Sequence, residues 1–253
     1  MARTAVLRRL SWTVAEVVDR IDETPRVRSL TLDVPDWPGH LPGHHIDVRL
    51  TAEDGYQAGR QYSIATPTDG SRVTITVERL DDGEVSPYLT DVLEVGDRVE
   101  LRGPIGGYFV WEPSRGGPLL FVAGGSGIAP IMAMLRARLQ ASIDVPVRML
   151  LSWRSGEDVI YADELNATAR DAAGIEITHT FTRSAPDGWT GRTGRLDRHA
   201  LAELAWAPSE RPLAYVCGPT GLVEAVASTL LELGHDPARV LTERFGPTGG
   251  RTT

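Results

Sequence analysis

Cysteine is nearly missing from this chain: Cys217 stands alone among 253 residues. A single thiol cannot form an intrachain disulfide, hold an iron–sulfur cluster or build a multi-cysteine zinc site. Basic charge is in deficit as well, with 34 Asp and Glu against 26 Lys and Arg, for a net charge of −8. Proteins that bind nucleic acid or anionic membranes generally do so through a basic surface, so neither partner is expected. No run approaches the ~20 apolar residues of a transmembrane helix. The basic start, Met1 to Leu10, leads into no apolar stretch of signal-peptide length. Internal repeats and low-complexity blocks are also missing. These absences point to a soluble cytoplasmic protein without membrane insertion.

The rest is ordinary for a globular chain, with 42% hydrophobic and 24% charged residues. A chain of this length buries roughly 70% of its unfolded surface, so it needs no metal or disulfide to fold. At ~150 residues per domain it has room for one to two.

The two parts of the chain differ in pattern. Trp12–Val18, Val27–Val34, His45–Leu50, Val73–Glu78 and Arg98–Arg102 alternate apolar and polar residues, separated by Gly, Pro and Asp. Period two with β-branched residues predicts half-buried antiparallel strands, five or six of them, in a small barrel or sandwich. One short helix is expected among them, with Ser86 as cap, Pro87 at the first position, and Leu89, Val92 and Leu93 at helical spacing. After Gly116-Gly117-Pro118 the alternation stops. Leu119–Ala123, Val147–Ser152, Ile175–Phe181 and Leu213–Cys217 predict buried strands. Helical segments are expected after Ile128, over Ala162–Ala173, Asp197–Leu204 and Leu222–Leu233, the last with Gly234 as C-cap. Strands alternating with helices predict a doubly wound parallel sheet. The expected organisation is a barrel over residues 1–113 and an α/β domain over 114–253.

Two turns in the second part carry chemistry. Gly124-Gly125-Ser126-Gly127 follows a buried strand and opens a helix, so backbone N–H groups and a helix N-terminus face whatever approaches. A ligand-free βα turn is the plain alternative. It departs from G-x-G-x-x-G, because Pro130 stands where the third glycine would be. Cys217-Gly218-Pro219-Thr220-Gly221 is the second turn, and in a parallel sheet both lie at the strands' carboxyl ends. A lone buried cysteine is otherwise inert core. In the barrel part, Arg60-Gln61-Tyr62-Ser63 joins a permanent cation, an aromatic face and a hydroxyl. Alternation puts Arg60 and Tyr62 on one face and Ser63 on the other; an ordinary exposed strand is the alternative.

In order, Arg60-Gln61-Tyr62-Ser63, Gly83-Glu84-Val85-Ser86, Gly124-Gly125-Ser126-Gly127-Ile128-Ala129-Pro130 and Cys217-Gly218-Pro219 resemble the ferredoxin–NADP reductase superfamily over about residues 12–246. The resemblance implies a six-stranded antiparallel flavin-binding barrel followed by an NAD(P)-binding α/β domain. It also implies FAD as cofactor and NADPH or NADH as coenzyme. By it, Arg60 holds the flavin pyrophosphate, Tyr62 stacks on the isoalloxazine, and Ser63 bonds near flavin N5, with Gln61 on the same strand. Thr76, Val77, Glu78 and the Gly83, Glu84, Val85, Ser86 turn complete the flavin site. Gly125, Ser126 and Gly127 receive the nicotinamide nucleotide, and Cys217, Gly218 and Pro219 lie beside the nicotinamide. Glu243 and Phe245 approach the flavin. Ser63, Cys217 and Glu243 are the expected catalytic residues, whose work is to place the two rings and exclude water.

The tail Gly246–Thr253 has no Trp or Tyr and resembles the linker that leads into a plant-type [2Fe–2S] domain in oxygenase reductases. That domain's four cysteines are missing, so a separate electron acceptor is expected, either a ferredoxin or an oxygenase component. Arg154, Arg183 (beside Thr182) and Arg192 resemble the arginines of bacterial NADPH-dependent flavodoxin reductases and favour NADPH, since guanidinium bonds phosphate bidentately. Alternatives are a reductase of free flavin, ferric chelates or quinones, and a non-catalytic flavin or nucleotide sensor. His40, His44 and His45 invite a metal, but neighbouring strand residues point to opposite faces, and no metal site is expected.

Overall fold

The computed structural model describes residues 10–141 and 143–245. The tail assigned above to a linker lies outside them. Six strands form the first unit: β1 Thr13–Thr24, β2 Val27–Asp33, β3 His45–Thr51, β4 Gln57–Ser63, β5 Arg72–Glu78 and β6 Arg98–Ile105. Their order is β4-β3-β6-β1-β2-β5, antiparallel throughout. An Ile64–Ile75 bridge and a 2.8 Å bond from Ala65 N–H to Thr74 C=O join the two edges, closing the barrel. Period two drives this closure. Val73, Ile75 and Val77 of β5 point into one core with Leu30, Leu32, Ile46 and Val48. Ser29 and Thr76 point outward yet are buried, because the second unit covers that face.

The short helix departs from expectation. Tyr88–Val92 is a single π turn with no side-chain cap. The Ser86 hydroxyl does not cap it but accepts the Leu80 N–H at 3.0 Å, across the Gly83 turn. Thr90 instead donates to the Ser86 carbonyl at 2.9 Å.

The second unit is a parallel sheet in the order β10-β9-β8-β7-β11-β12. Its strands are β7 Leu119–Gly124, β8 Val147–Ser155, β9 Ile175–Ser184, β10 Arg192–Thr193, β11 Leu213–Pro219 and β12 Val240–Phe245. The helices are α1 Ile128–Gln140, α2 Ala162–Asp171, α3 Arg198–Leu204 and α4 Thr220–Glu232. β7 is buried on both faces, which explains its unbroken apolar run. Leu119, Phe121 and Ala123 pack with α1 and α2 residues such as Ile131, Leu135 and Leu165. Leu120 and Val122 pack with Ala200, Leu201, Val223 and Val226 of α3 and α4. The chain winds outward from β7 through β8 to β10, then returns to β11 on β7's other side. That reversal creates a switch point, and the crevice at the carboxyl ends of β7 and β11 is where such sheets hold ligands.

Two helix ends follow directly from their residues. Asp197 caps α3, accepting the Ala200 N–H at 2.8 Å. Gly234 (φ +96°) ends α4, with Gly234 N–H bonding Leu231 C=O and His235 N–H bonding Leu230 C=O, both at 3.0 Å. This Schellman arrangement needs the left-handed conformation that glycine adopts freely. Core packing continues between the units: Val27, Phe109 and Trp111 of the barrel side belong to the same buried cluster as Met134 and Tyr215.

Candidate functional site

The β7–α1 and β11–α4 turns pack directly on one another. A Cβ at Gly127 would lie 2.5 Å from the Cys217 carbonyl oxygen, and one at Gly218 (φ +146°) would lie 2.9 Å from the Gly124 oxygen. Only glycine permits this approach. The result is a cradle of backbone at the switch point, with α1 and α4 both starting from it. Donor N–H groups and positive helix ends suit a phosphorylated ligand there.

Three of the expected residues meet beside this cradle. Cys217 and Glu243 are register partners on β11 and β12, with Cys217 Sγ 4.0 Å from Glu243 Oε2. From the barrel, the Ser63 hydroxyl donates to the same carboxylate oxygen at 3.4 Å. Burial pushes the Glu243 carboxyl up to about 7, against the opposing pull of the Ser63 hydroxyl. Cys217 is fully buried, and desolvation together with the Glu243 charge lifts its thiol well above the ordinary range. The thiol therefore stays neutral and acts as a small donor, not as a thiolate nucleophile. Phe245 pairs with Pro219 at the end of the same strands and packs, half-buried, on the neighbouring core.

The barrel's side of the crevice is built from side chains. On β4, Arg60 and Gln61 are exposed, Tyr62 is half-buried against the barrel core, and Ser63 is buried. Arg60 donates only to the Gly59 carbonyl, at 2.7 Å, and makes no ion pair among the described residues. Its charge is thus available for an anion. Burial raises the Tyr62 phenol, so its ring is a neutral platform. In the Gly83–Ser86 turn after β5, Glu84 accepts from the Tyr56 hydroxyl at 3.0 Å, while Val85 and Ser86 are buried. On β5 the expected residues divide. Val77 is fully buried in the barrel core, so its side chain is turned away and only its backbone faces outward. The Thr76 hydroxyl is taken up by Ser29, at 2.9 Å, and by Tyr161. Glu78 reaches across to the β7–α1 turn, accepting from Ser126 Oγ at 2.8 Å and from Arg154 Nη2 at 3.0 Å.

A cleft of about 410 Å³ continues outward from Arg154, lined by Arg26, Asp81, Ser155, Asp158, Arg183 and Ser184. Arg183 is exposed in it, without an ion pair among the described residues. Arg192 does not join it: Asp197 and Glu203 hold its guanidinium at 3.4 and 3.5 Å. The Thr182 hydroxyl donates to the Trp153 carbonyl at 3.0 Å.

The barrel and cradle together match known proteins along nearly the whole chain. Ferredoxin–NADP reductase B of Sorangium cellulosum is 36% identical over 230 residues, which cover 88% of this chain and 93% of that one. This chain belongs to the ferredoxin–NADP reductase superfamily. Residues 15–110 match the oxidoreductase FAD-binding domain family, and residues 121–228 match the oxidoreductase NAD-binding domain family. The FAD/NAD-binding domain of Vibrio cholerae nitric oxide dioxygenase superposes with a TM-score of 0.83 at 30% identity, over 93% of this chain and 99% of that one. The toluate 1,2-dioxygenase electron transfer component of Pseudomonas putida is 29% identical over 81% of this chain, which spans 58% of its length.

As a member of this superfamily the protein is an NAD(P)H-dependent FAD reductase, not a passive sensor. The structure fits both ligands: a backbone cradle that a Cβ would fill, and an arginine without a carboxylate partner at the barrel surface. Sequence reasoning missed the polar contact between the units. Arg136 of α1 grips Glu164 through both carboxylate oxygens, donates to the Ala65 carbonyl at 2.7 Å, and lies 4.8 Å over the Tyr161 ring. Tyr161 holds a left-handed conformation (φ +58°), uncommon for a bulky residue. The sequence signal of this contact is Arg136, which directly follows the apolar run Ile128–Leu135 of α1. Among the described residues no helix is long and apolar enough to cross a membrane.

Proposed function

We propose that this protein takes hydride from NADPH in preference to NADH and delivers single electrons to a separate ferredoxin or oxygenase component. One observation carries the reading: Ser63 of the barrel and Cys217 and Glu243 of the sheet converge at the mouth of the glycine cradle. Bound FAD would supply the conversion of a two-electron hydride donor into two one-electron deliveries. Arg60 and the Gly83–Ser86 turn would hold the FAD diphosphate, with Tyr62 beneath the ring and the outward backbone of Thr76–Glu78 along its edge. Ser63 and Cys217 would position the reacting rings, and the half-buried Glu243 would hold a proton near neutral pH. Gly125, Ser126 and Gly127 would receive the coenzyme, and Gly218 and Pro219 would follow Cys217 beside its nicotinamide. The division between flavin and coenzyme domains would fall between residues 113 and 114.

The preference for NADPH rests on Arg183, which faces the 410 Å³ cleft with Arg154, Ser155 and Ser184 and spends its charge on no carboxylate among the described residues. Arg192 is neutralised by Asp197 and Glu203 and takes a supporting part only. Steady-state reduction of ferricyanide with each coenzyme tests the preference. A lower KM for NADPH, lost in Arg183→Ala while NADH turnover stays, supports it; equal or better efficiency with NADH overturns it. Acceptors separate by the same assay: acceleration by a ferredoxin supports one-electron delivery, and acceleration only by free flavin, ferric chelates or quinones overturns it.

A further inference from the structure

Glu78 carries a charge of the wrong sign for its place. Its carboxylate stands at the opening of the β7–α1 turn, 2.8 Å from Ser126 Oγ, and a Cβ on Gly125 would lie 3.6 Å from its Oε2. The same carboxylate holds Arg154 Nη2 at 3.0 Å. A turn of glycines at a helix N-terminus, with a serine hydroxyl and an arginine beside it, presents donors to an anion. Here those two side-chain donors are already engaged, by a carboxylate that comes from the other unit.

We propose that Glu78 is a positioning residue that occupies the seat of the coenzyme diphosphate and must be displaced when NADPH or NADH enters. It rests on the reading that this turn receives the coenzyme. A phosphate at this turn would stand beside the Glu78 carboxylate and share Arg154 and Ser126 with it, and two anions in one opening repel. Displacement leaves Arg154 anchored, because Asp158 lies 3.6 Å from the same nitrogen and is itself fixed by Ser155 N–H and Oγ. In the free protein Glu78 keeps Arg154 and Ser126 ordered and ties the barrel to the turn. In the complex it is a standing competitor, which lowers affinity for the coenzyme and speeds release of its oxidised form. A residue assigned by resemblance to the flavin thus governs the other ligand.

The test is a double-mutant cycle on the protein loaded with oxidised FAD, titrating by calorimetry NADP+ and NAD+, which as oxidised forms have no hydride to transfer to it. Arg154→Ala is expected to weaken both ligands, which checks the underlying reading; unchanged affinity there would remove the coenzyme from this turn. Glu78→Gln is expected to tighten both by about fivefold, the strength of a partly exposed ion pair. In the Arg154→Ala background that gain is expected to shrink below about twofold. Unchanged or weaker binding in Glu78→Gln, with Arg154→Ala still harmful, would overturn the competition alone. Tightening confined to NADP+ would move Glu78 to the 2′-phosphate and overturn the diphosphate assignment. Loss of FAD from Glu78→Gln, read from the bound flavin spectrum, would return the residue to the flavin site.

Discussion

The two halves of the crevice are made from different materials. On the barrel side the ligand-facing groups include side chains on exposed strand and turn positions: Arg60, Gln61 and Glu84 reach solvent, while Ser63, Thr76 and Ser86 are buried. On the sheet side the groups are backbone, set by glycines so closely packed that the turns touch. A site of exposed side chains separates ligand binding from stability, because removing one long side chain leaves the strand intact. A site of packed backbone binds the two together. The lesson is that similar substitutions should fail differently on either side of the same crevice.

The largest effect is expected at Gly127. Gly127→Ala puts a methyl 2.5 Å from the Cys217 oxygen, and because that neighbour is backbone, relief falls at the upper end of the usual cost of overpacking, about 3 kcal/mol. Thermal melting should drop steeply, and coenzyme binding with it. Gly221→Ala, which meets nothing within 4 Å in α4, serves as control and should match or exceed wild type. Equal melting of Gly127→Ala and wild type would erase the contrast.

Glu243 comes next. Its folded carboxyl is raised from 4.5 to about 7, so its contribution is fully present below pH 4.5 and is lost as pH rises to 7. Glu243→Gln has no such loss. Its stability relative to wild type should rise by up to about 3 kcal/mol across that window and stay level above it. Denaturant unfolding at several pH values reads this directly, and a difference independent of pH would refute the raised carboxyl.

Arg60→Ala sharpens the barrel side. A charge-assisted contact to phosphate is worth about 1.5–3 kcal/mol, so FAD affinity should fall by roughly ten- to a hundred-and-fiftyfold. The FAD-free melting point should not move. A large drop in that melting point would show that the barrel site, too, is structural.

Tyr161→Phe is expected to have the smallest effect. It deletes the bond to Thr76, which keeps Ser29 as a partner, for about 1 kcal/mol by chemical denaturation. A loss several times larger would mean that the hydroxyl, rather than the ring under Arg136, holds the left-handed Tyr161 backbone.

Much of this architecture is legible in the sequence, for a physical reason. Strands buried on one face must alternate and strands buried on two cannot, so Val73–Glu78 and Leu119–Ala123 announce different sheets. The glycine turns are legible because close backbone approach leaves no other residue. Side chains whose partners come from distant segments are not. Arg192 reads as a phosphate ligand until Asp197 and Glu203 are seen around it. Ser86-Pro87 reads as a helix start, but the hydroxyl is claimed by Leu80 N–H six residues back. Glu78 reads as flavin strand, since nothing local reports that Ser126 and Arg154 wait opposite it.

The buried cluster that joins Val27, Phe109 and Trp111 to α1 and β11 has a consequence for how the chain melts. Two units with separate cores would unfold in two steps. Here aromatic residues from one side complete the packing of the other, and the Tyr215 hydroxyl reaches back to the Val110 carbonyl at 2.8 Å. Neither half is finished alone. Heating should give one cooperative transition whose calorimetric and van't Hoff enthalpies agree, and a chain cut after residue 113 should aggregate through the Phe109 and Trp111 it leaves uncovered.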